Sequence, residues 1–278
     1  RLFGIAYRML GVRADAEDVL QDAWLRWSAA DRAALQSAEA WLVTVVTRLA
    51  IDRLRAAKAE REAYAGLWLP EPLVEVDDRT PESAAELASD LSLAFLHLLE
   101  RLGAEERAAF LLRHAFDYEH AEIAAILGKS EAAVRQMVHR AGERVRQDRP
   151  RFAVDPQAHR RLLERFREAA HSGQREAIRA VLADDVIVLG DGGGKVPAVA
   201  GGMQGSDRVA NLFWAHHLRL GARVQYRVAS VNGEPGLLRF VDGELESVMA
   251  VVADGQRILA MYSVRNPDKL AGIAAALA

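Results

Sequence analysis

The stretch FDYEHAEIAAILGKSEAAVRQMVHRAGERVRQ, residues 116–147, decides the fold of the middle of the chain. Apolar residues recur there at helical spacing on both sides of a short polar turn. Within the turn, Gly128 suits the left-handed residue that ends a helix, and Ser130 suits the N-cap of the next helix. Two helices joined by a short glycine turn predict a helix-turn-helix.

Polar residues near the start of the second helix are predicted to face outward: Glu131, Arg135, Gln136, His139 and Arg144. From residue 129 to residue 151 there are seven Lys or Arg against three Asp or Glu. This basic excess is the electrostatic footprint expected of DNA binding. Taken singly, His139 could be an ordinary solvent-exposed side chain and Arg144 could pair with a glutamate of its own helix.

An acidic helix is predicted over residues 14–27, with Asp15 as its N-cap. Its buried stripe is predicted to contain Ala16, Val19, Leu20, Ala23, Trp24 and Trp27. The opposite face carries Glu17, Asp18, Gln21 and Asp22. Taken alone, this helix favours the simpler interpretation of a solvated acidic surface.

A basic helix is predicted over residues 40–58, which bury Trp41, Leu42, Val45, Val46, Leu49 and Leu54. Another face carries Arg48, Asp52 and Arg55 at helical spacing, with Arg53 and Lys58 nearby. A basic helix face suits contacts with nucleic-acid phosphates. The alternative, a surface helix laced with ion pairs, has only Asp52 to balance four basic residues.

The second half of the chain changes its periodicity. Residues 61–90, which contain the motif WLPEPL and an acidic run, are predicted to form a partly extended linker. Strands are then predicted within residues 186–189, 223–231, 236–241, 246–254 and 257–264, and helices within 157–171, 174–183 and 206–218. This order favours an α+β fold with a curved sheet against helices.

The stretch VLGDGGGKV, residues 188–196, raises the question of a phosphate-binding loop. A P-loop needs a glycine five residues before Gly194, where this chain has Leu189, and a hydroxyl after Lys195, where it has Val196. No helix is predicted to follow, so the phosphate interpretation is rejected. The glycines instead allow close backbone approach and positive φ, and Asp191 and Lys195 either pin the loop or pair across an interface.

The composition indicates the cellular compartment of the chain and excludes some kinds of bond and metal site. The sequence has 278 residues, no cysteine and a net charge of −3, which excludes disulfides and thiolate metal sites and fits the cytoplasm. No apolar run is long enough for a membrane span, and no cofactor or metal is expected. The sequence begins at Arg1 without a signal-peptide pattern or a methionine, so we expect the natural start to lie upstream.

Three separated motifs, DAEDVLQDAWLRW, AWLVTVVTRLAIDRLR and RLGAEERAAFLLRHAFDYEHAEIAAILGKSEAAVRQMVHRA, resemble regions two and four of the extracytoplasmic-function class of sigma-70 RNA polymerase sigma factors. The resemblance implies core RNA polymerase binding by Asp18, Gln21, Asp22 and Trp24. It implies contact with the minus-ten promoter element by Arg48, Asp52, Arg53 and Arg55. It implies contact with the minus-thirty-five element by Glu131, Arg135, Gln136, His139 and Arg140.

Two departures from the family pattern bear on promoter choice. Leu102-Gly103 stands where the family usually has Leu-Pro, and AAVRQM replaces the usual run in the recognition helix. The promoter sequence is therefore left open.

Residues 158–278 resemble the SnoaL-like fold, which is related to the nuclear-transport-factor (NTF2-like) and ketosteroid isomerase folds. With WLPEPL, DGGGK and NPDKL, the whole chain resembles the SigJ-type subgroup, in which the extension contacts the sigma core and tunes its activity. The resemblance implies an interdomain regulatory role for Trp68, Leu69, Pro70, Asp191, Gly192, Gly193, Gly194, Lys195, Asn266, Pro267, Asp268, Lys269 and Leu270. Because Trp68 and Leu69 are strongly apolar, we expect them to dock on the third domain.

The expected architecture is multidomain, with two all-α sigma domains, the second a helix-turn-helix, and a C-terminal α+β SnoaL-like/NTF2-like cone. Its parts are expected at residues 1–60, 61–90 (linker), 91–150 and 157–278. Candidate acid–base residues in the third part, Asp191, His216, His217, Asp242 and Glu244, form no assignable pair, so we expect no catalytic residue there. A small ligand is possible in this cone.

The expected function is promoter-specific transcription initiation with regulation in cis, through core RNA polymerase and promoter DNA. Two rival functions are a one-component ligand-sensing DNA-binding regulator and a SnoaL-like enzyme with an accessory helical domain.

Overall fold

The two helical blocks of the sequence fold into one unit. The linker and the strand-rich second half of the chain fold into another. The computed structural model describes residues 1–75, 92–148, 154–199 and 201–277. The helical unit contains Arg1–Ala63 and Leu96–Arg149, and the sheet unit contains Tyr64–Phe95 and Pro150–Ala278. The acidic part of the predicted linker from residue 76 onward lies outside the described residues.

The described helices of the first half are α1 (Leu2–Leu10), α2 (Arg13–Ala29), α3 (Ala38–Ala56), α4 (Lys58–Glu62), α5 (Leu93–Leu99), α6 (Ala104–His114), α7 (His120–Leu127) and α8 (Glu131–Asp148). The turn between α7 and α8 has the predicted form. Gly128 is left-handed, with a φ of 65°, and the Ser130 hydroxyl accepts a 3.3 Å hydrogen bond from the Ala133 amide. The helix-turn-helix prediction is confirmed.

The predicted start of α2 is wrong. Val12, not Asp15, is the N-cap, and the Asp15 carboxylate instead accepts hydrogen bonds from Arg53. The apolar stripe is also shorter than expected, because Trp24 is 63% exposed. Since α2 packs on α1 and α3, only its small residues Ala16, Val19 and Ala23 are needed to fill the contact.

The buried face of α3 is rotated from the predicted one. Its buried residues are Val43, Val46, Thr47, Ala50, Ile51 and Leu54. The predicted Trp41, Leu42, Val45 and Leu49 are only half-buried. The physical reason is that α3 packs against α1 and α2 and also against α6 and α7, so smaller side chains occupy the centre.

The sheet unit is built on a seven-stranded sheet with the order β1-β4-β5-β6-β7-β2-β3. Its strands are β1 (Val74–Glu75), β2 (Leu182–Asp191), β3 (Met203–Gln204), β4 (Val224–Val231), β5 (Glu234–Val241), β6 (Glu244–Ala253) and β7 (Ile258–Val264). Only the β2–β7 pair is parallel among the described strand pairs. The linker itself supplies β1, which pairs Val74 with Val231.

The two faces of this sheet are covered differently. We call the face packed by α9 (Pro156–Ser172), α10 (Arg175–Ala180) and α11 (Ser206–Leu220) the inner face; there Phe166 and Phe213 meet edge-on at 4.9 Å. We call the other the outer face; it packs against Leu69 of the linker and α12 (Pro267–Leu277). The expected α+β arrangement, a sheet packed against helices, is confirmed.

Two local predictions in the sheet unit are wrong. Residues 182 and 183 begin β2 instead of ending a helix, because α10 stops at Ala180. The C-terminal segment after Asn266 was not predicted as a helix, yet it forms α12, in which Leu270 and Ile273 are buried on the outer face.

Candidate polymerase, DNA and linker-binding sites

The acidic face of α2 is open to solvent. Asp18, Gln21, Asp22 and Trp24 are all exposed, and Leu25 beside them is 60% exposed. An exposed tryptophan surrounded by carboxylates has the composition of a protein-binding surface, in which an aromatic anchor is bordered by polar groups.

The arginines of α3 are exposed, but their guanidinium groups already have partners within the helical unit. Arg48 donates a 2.8 Å hydrogen bond from Nε to the carbonyl of Ile126, at the end of α7. Arg53 donates to Asp15 and Arg55 donates to Glu105, the latter at 2.7 Å. The predicted minus-ten surface is thus tied to the helix-turn-helix in this arrangement.

The outward face of α8 matches its prediction. Glu131, Arg135, Gln136, His139 and Arg140 are exposed. Within this face Arg135 pairs with Glu131, and His139 lies 3.7 Å from Glu143. Arg144, the alternative candidate for pairing with Glu131 or Glu143, instead donates to Glu106 at 2.8 Å. Exposed side chains with only local, exposed partners can exchange those partners for DNA at small cost.

Three motifs of the sequence meet at the carboxylate of Asp191, at the end of β2. This carboxylate is fully buried. Its Oδ1 accepts hydrogen bonds from the Tyr64 hydroxyl at 2.6 Å and the Gly193 amide at 3.0 Å. Its Oδ2 accepts from the Leu69 amide at 3.0 Å and the Lys269 ammonium at 2.7 Å. We call these five residues the Asp191 cluster.

The ammonium of Lys269 completes the attachment of the linker. It donates to the carbonyl of Leu69 and lies 4.1 Å from the centre of the Trp68 ring. Leu69 is 0% exposed and Pro70 is buried, so the expected docking of WLPEPL is observed within the sheet unit. A buried cation is acceptable here because a carboxylate, a carbonyl and an aromatic face all receive it.

The Tyr64 hydroxyl links the linker to the C-terminal motif. It accepts a 2.9 Å hydrogen bond from the side-chain amide of Asn266. Burial raises the pKa of the Tyr64 phenol, and the hydrogen bond to the charged Asp191 raises it further. The phenol therefore stays protonated and acts as the donor to Asp191.

The glycine loop is a tight turn whose glycines are needed for close approach. Gly193 has a φ of 63°, and a Cβ placed on it would lie 2.5 Å from the side chain of Asn266. Gly194 has a φ of 71°, and its Cβ would lie 2.7 Å from Ala65. Gly192 accepts hydrogen bonds from the amides of Lys195 and Val196. The loop is therefore a turn and also a contact surface for the linker.

The two charged residues that flank the glycines of the loop, Asp191 and Lys195, do not pair with each other. Asp191 pairs with Lys269, whereas Lys195 pairs with Asp268 at 2.6 Å in an exposed position. Asp268 and Lys269 are neighbours in NPDKL, so both flanking residues of the loop are bound to the start of α12. Pro267 is the first residue of that helix and Leu270 is buried on the outer face.

The candidate acid–base residues of the sheet unit do not converge. Asp191 belongs to the cluster above, and Asp242 pairs with Arg223 in an exposed position. Glu244 is exposed, and His217 lies against Gly173. Only His216 points to a polar group on the inner face, where its Nδ1 lies 3.0 Å from Arg239. Burial, and after it the charge of Arg239, lower the pKa of His216 to about 4.

Several residues of these sites are not indicated by any pattern in the sequence. Tyr64 lies before the WLPEPL motif and only its contact with Asp191, 127 residues away, reveals it. Arg239, Glu246 and Arg265 form an ion-pair cluster on the sheet that no spacing suggested.

Within the described residues no group of three or more His, Asp or Glu could hold a metal ion. Among those residues, too, every helix is too short or too polar to cross a membrane.

Comparison with known proteins identifies the two helical blocks. A family model described as Sigma-70 region 2 matches residues 1–60. A second, described as Sigma-70, region 4, matches residues 92–144.

Relatives extend the match to the whole chain. The ECF RNA polymerase sigma factor SigJ of Mycobacterium tuberculosis (strain ATCC 25618 / H37Rv) is 38% identical over 282 residues, covering 98% of this chain and 90% of the relative. The probable ECF RNA polymerase sigma factor SigI of the same organism is 29% identical, covering 97% and 91%. The crystal structure of Mycobacterium tuberculosis SigJ aligns with a TM-score of 0.79 and 37% identity over 98% of this chain and 95% of that one. The chain belongs to the extracytoplasmic-function RNA polymerase sigma factors.

Proposed function

We propose that this chain directs core RNA polymerase to promoters in the cytoplasm, with α2 as the polymerase contact and α3 and α8 as the DNA contacts. The exposed Trp24 among Asp18, Gln21 and Asp22 is the observation that carries the polymerase assignment. The exposed polar face of α8 supports the contact with duplex DNA, since a recognition helix reads base edges with such side chains.

The contact between Arg48 and the end of α7 gives the proposal a further element. A hydrogen bond from Arg48 to the Ile126 carbonyl, and the pair of Arg55 with Glu105, occupy two of the predicted minus-ten residues. Promoter DNA needs these guanidinium groups for its phosphates. We therefore propose that the two helical blocks separate when the chain binds polymerase and DNA.

Regulation in cis is proposed to act through the Asp191 cluster. The linker connects the two sigma regions, and Tyr64, Trp68 and Leu69 are held by the sheet unit. Anchoring a linker shortens its free length and restricts the distances that it can span. The C-terminal domain would thus set how far region four can move from region two.

Run-off transcription tests the function. Core RNA polymerase is given the full-length chain and a template that contains the DNA upstream of its own coding sequence. We expect transcripts with a defined start that are absent with core enzyme alone. A chain that shifts this DNA in a gel without polymerase, but yields no transcript with it, would be a one-component regulator instead.

A further inference from the structure

A cavity of about 700 Å³ lies inside the helical unit, between its two helical blocks. One wall comes from the end of α3 and from α4, and the other from the segment around α6 and from α8. Five cationic side chains line it: Arg55, Lys58, Arg61, Arg107 and Arg140. Both blocks therefore present positive charge to one partly open cleft of ligand size.

The carboxylates of this cavity are shared between cations. Glu100 pairs with Arg61 and also with Arg107, the latter at 2.7 Å. Glu105 pairs with Arg55 at 2.7 Å and with Lys129 at 2.9 Å. Each of these two carboxylates thus neutralises only one of the two positive charges beside it.

The remaining carboxylates do not remove the excess. Glu62 lies 3.7 Å from Lys58, and Asp52 lies 3.7 Å from Arg55. Glu106 is taken by Arg144 at 2.8 Å. Among the ion pairs formed by described residues, six cations in and around the cavity share five carboxylates. A seventh cation, Arg140, is exposed and has no carboxylate within ion-pair distance among the residues that the structure describes.

The deepest cation of the cavity is incompletely satisfied. Arg107 is 3% exposed, and its Nη1 donates to the Met9 carbonyl at 2.6 Å and to Glu100. Its Nε is buried and has no hydrogen-bond partner within the described part of the chain. Burial lowers the pKa of the adjacent Arg61, and the Arg107 charge lowers it further, against the effect of Glu100. Glu100 already pairs with both guanidinium groups, and a further anion in the cleft would reduce the repulsion between them.

We propose that this cavity binds an oligophosphate, either free or as the phosphate chain of a nucleotide, and that the bound anion joins the two helical blocks. Phosphate chains carry several charges spread over a few ångströms, which matches cations on opposite walls better than a single carboxylate does. Guanidinium groups, which form four of the five lining cations, bind phosphate oxygens in pairs.

The consequence for the molecule follows from which residues the anion would engage. Arg55 and Arg140 belong to the predicted DNA-contacting surfaces, and one ligand between them would hold those surfaces together. The ligand would compete with the promoter for the same side chains. This inference adds a regulatory ligand to the proposed function.

Titration calorimetry on the full-length chain tests the inference. The probes are sodium tripolyphosphate as the free phosphate chain, ATP as the esterified chain, and sulfate as a small dianion. The test variant is K58Q combined with R140Q, both at exposed positions. The control is R160Q, which removes an exposed arginine of the sheet unit.

We expect one tripolyphosphate to bind per chain, at least tenfold more tightly than sulfate. The double variant should bind it at least tenfold more weakly, and R160Q should bind it like the wild type. Binding of ATP alone would assign the site to a nucleotide. The inference is overturned if neither phosphate chain binds saturably, if sulfate binds equally well, or if the double variant is unaffected. Because neither polymerase nor DNA is present, such a failure would leave the proposed transcription function untouched.

Discussion

The ammonium of Lys269 lies 2.7 Å from the carboxylate of Asp191, and both side chains are buried beneath the linker. One residue ends β2 and the other lies in the first turn of α12. The pair therefore joins the glycine loop, the C-terminal motif and the linker in a single contact. Removing one member of a buried ion pair is costly because the other charge is left without compensation.

Replacing Asp191 by Asn should destabilise the sheet unit by about 3 kcal/mol, because Lys269 would keep its buried charge without a counterion. Urea unfolding monitored by near-ultraviolet circular dichroism measures the change. In a double-mutant cycle with K269M, the combined variant should lose less than the sum of the two single losses.

The exposed pair of Lys195 and Asp268 supplies the control for this measurement. K195Q removes an ion pair from the same loop at a solvent-exposed position, where such pairs contribute little. Equal losses in D191N and K195Q would contradict the role assigned to the buried pair.

Gly193 should tolerate no side chain. G193A places a methyl group 2.5 Å from Asn266 at a φ of 63°, so we expect a loss of about 2 to 3 kcal/mol in unfolding free energy. The matched control is G243A, at a φ of 86° in the same unit, where nothing lies within 4 Å of the added methyl. That variant should lose about 1 kcal/mol from backbone strain alone. Indistinguishable urea midpoints for the two variants would refute the close-contact argument.

Local chemistry made part of the molecule predictable from sequence. The turn between α7 and α8 could be placed because Gly128 and Ser130 act within a few residues of themselves. The resemblance to the SigJ-type subgroup implies a regulatory role for WLPEPL, DGGGK and NPDKL, and the structure brings residues of all three together. The sequence does not predict which residues pair. Asp191 pairs with Lys269 and not with Lys195, which is closer in sequence, because the fold buries Asp191 and Lys269 together.

Which helix face is buried depends on tertiary contacts that helical periodicity does not specify. A helical stripe shows which residues are able to face a core, but the neighbouring helices decide which of them do so. Trp24 fitted the apolar stripe of α2, yet it is exposed because small residues already fill the contacts of that helix. The family resemblance implies that the same residue binds polymerase, and that role requires an exposed side chain.

The acidic face of α2 should be needed for polymerase binding but not for folding. W24A removes a side chain that is 63% exposed, so the unfolding free energy should change by less than about 0.5 kcal/mol. Recovery of core polymerase in a pull-down should fall at least tenfold, and equally with the charge reversals D18K and D22K combined. W214A, which truncates an exposed tryptophan of the sheet unit, should leave recovery unchanged. Full recovery with W24A and with D18K/D22K would remove the docking assignment.

Acid should weaken the sheet unit partly through His216. Its pKa is lowered to about 4 by burial and by nearby arginines, against an ordinary value near 6.5 in the unfolded chain. The folded state therefore favours the neutral ring. This contribution is complete above pH 6.5, declines as the pH falls below it, and is lost by about pH 4. Because the ring is partly exposed, we expect at most about 2 kcal/mol from it.

Urea unfolding of wild type and H216Q at pH 7, 5.5 and 4.5 measures this contribution. The charged groups that act on His216 are Arg239, Arg219, Glu246 and Arg265. H216Q should flatten the decline between pH 6.5 and 4.5, whereas H217Q, which alters the neighbouring ring against Gly173, should retain the wild-type slope. Parallel curves for wild type and H216Q would show that another group titrates.

Removal of α12 should alter transcription without removing polymerase binding. A chain that ends before Asn266 loses Lys269 from the Asp191 cluster and Leu270 and Ile273 from the outer face, so the linker has less to hold it. K269M is the finer test, since it keeps the helix and the aliphatic stem but cannot pair with Asp191. Both variants should recover core polymerase like the wild type, because α2 is unchanged. Run-off yields from the promoter should differ severalfold from wild type in both. If the yields are equal, the attachment of the linker to the sheet unit has no part in controlling how the two sigma regions reach the promoter.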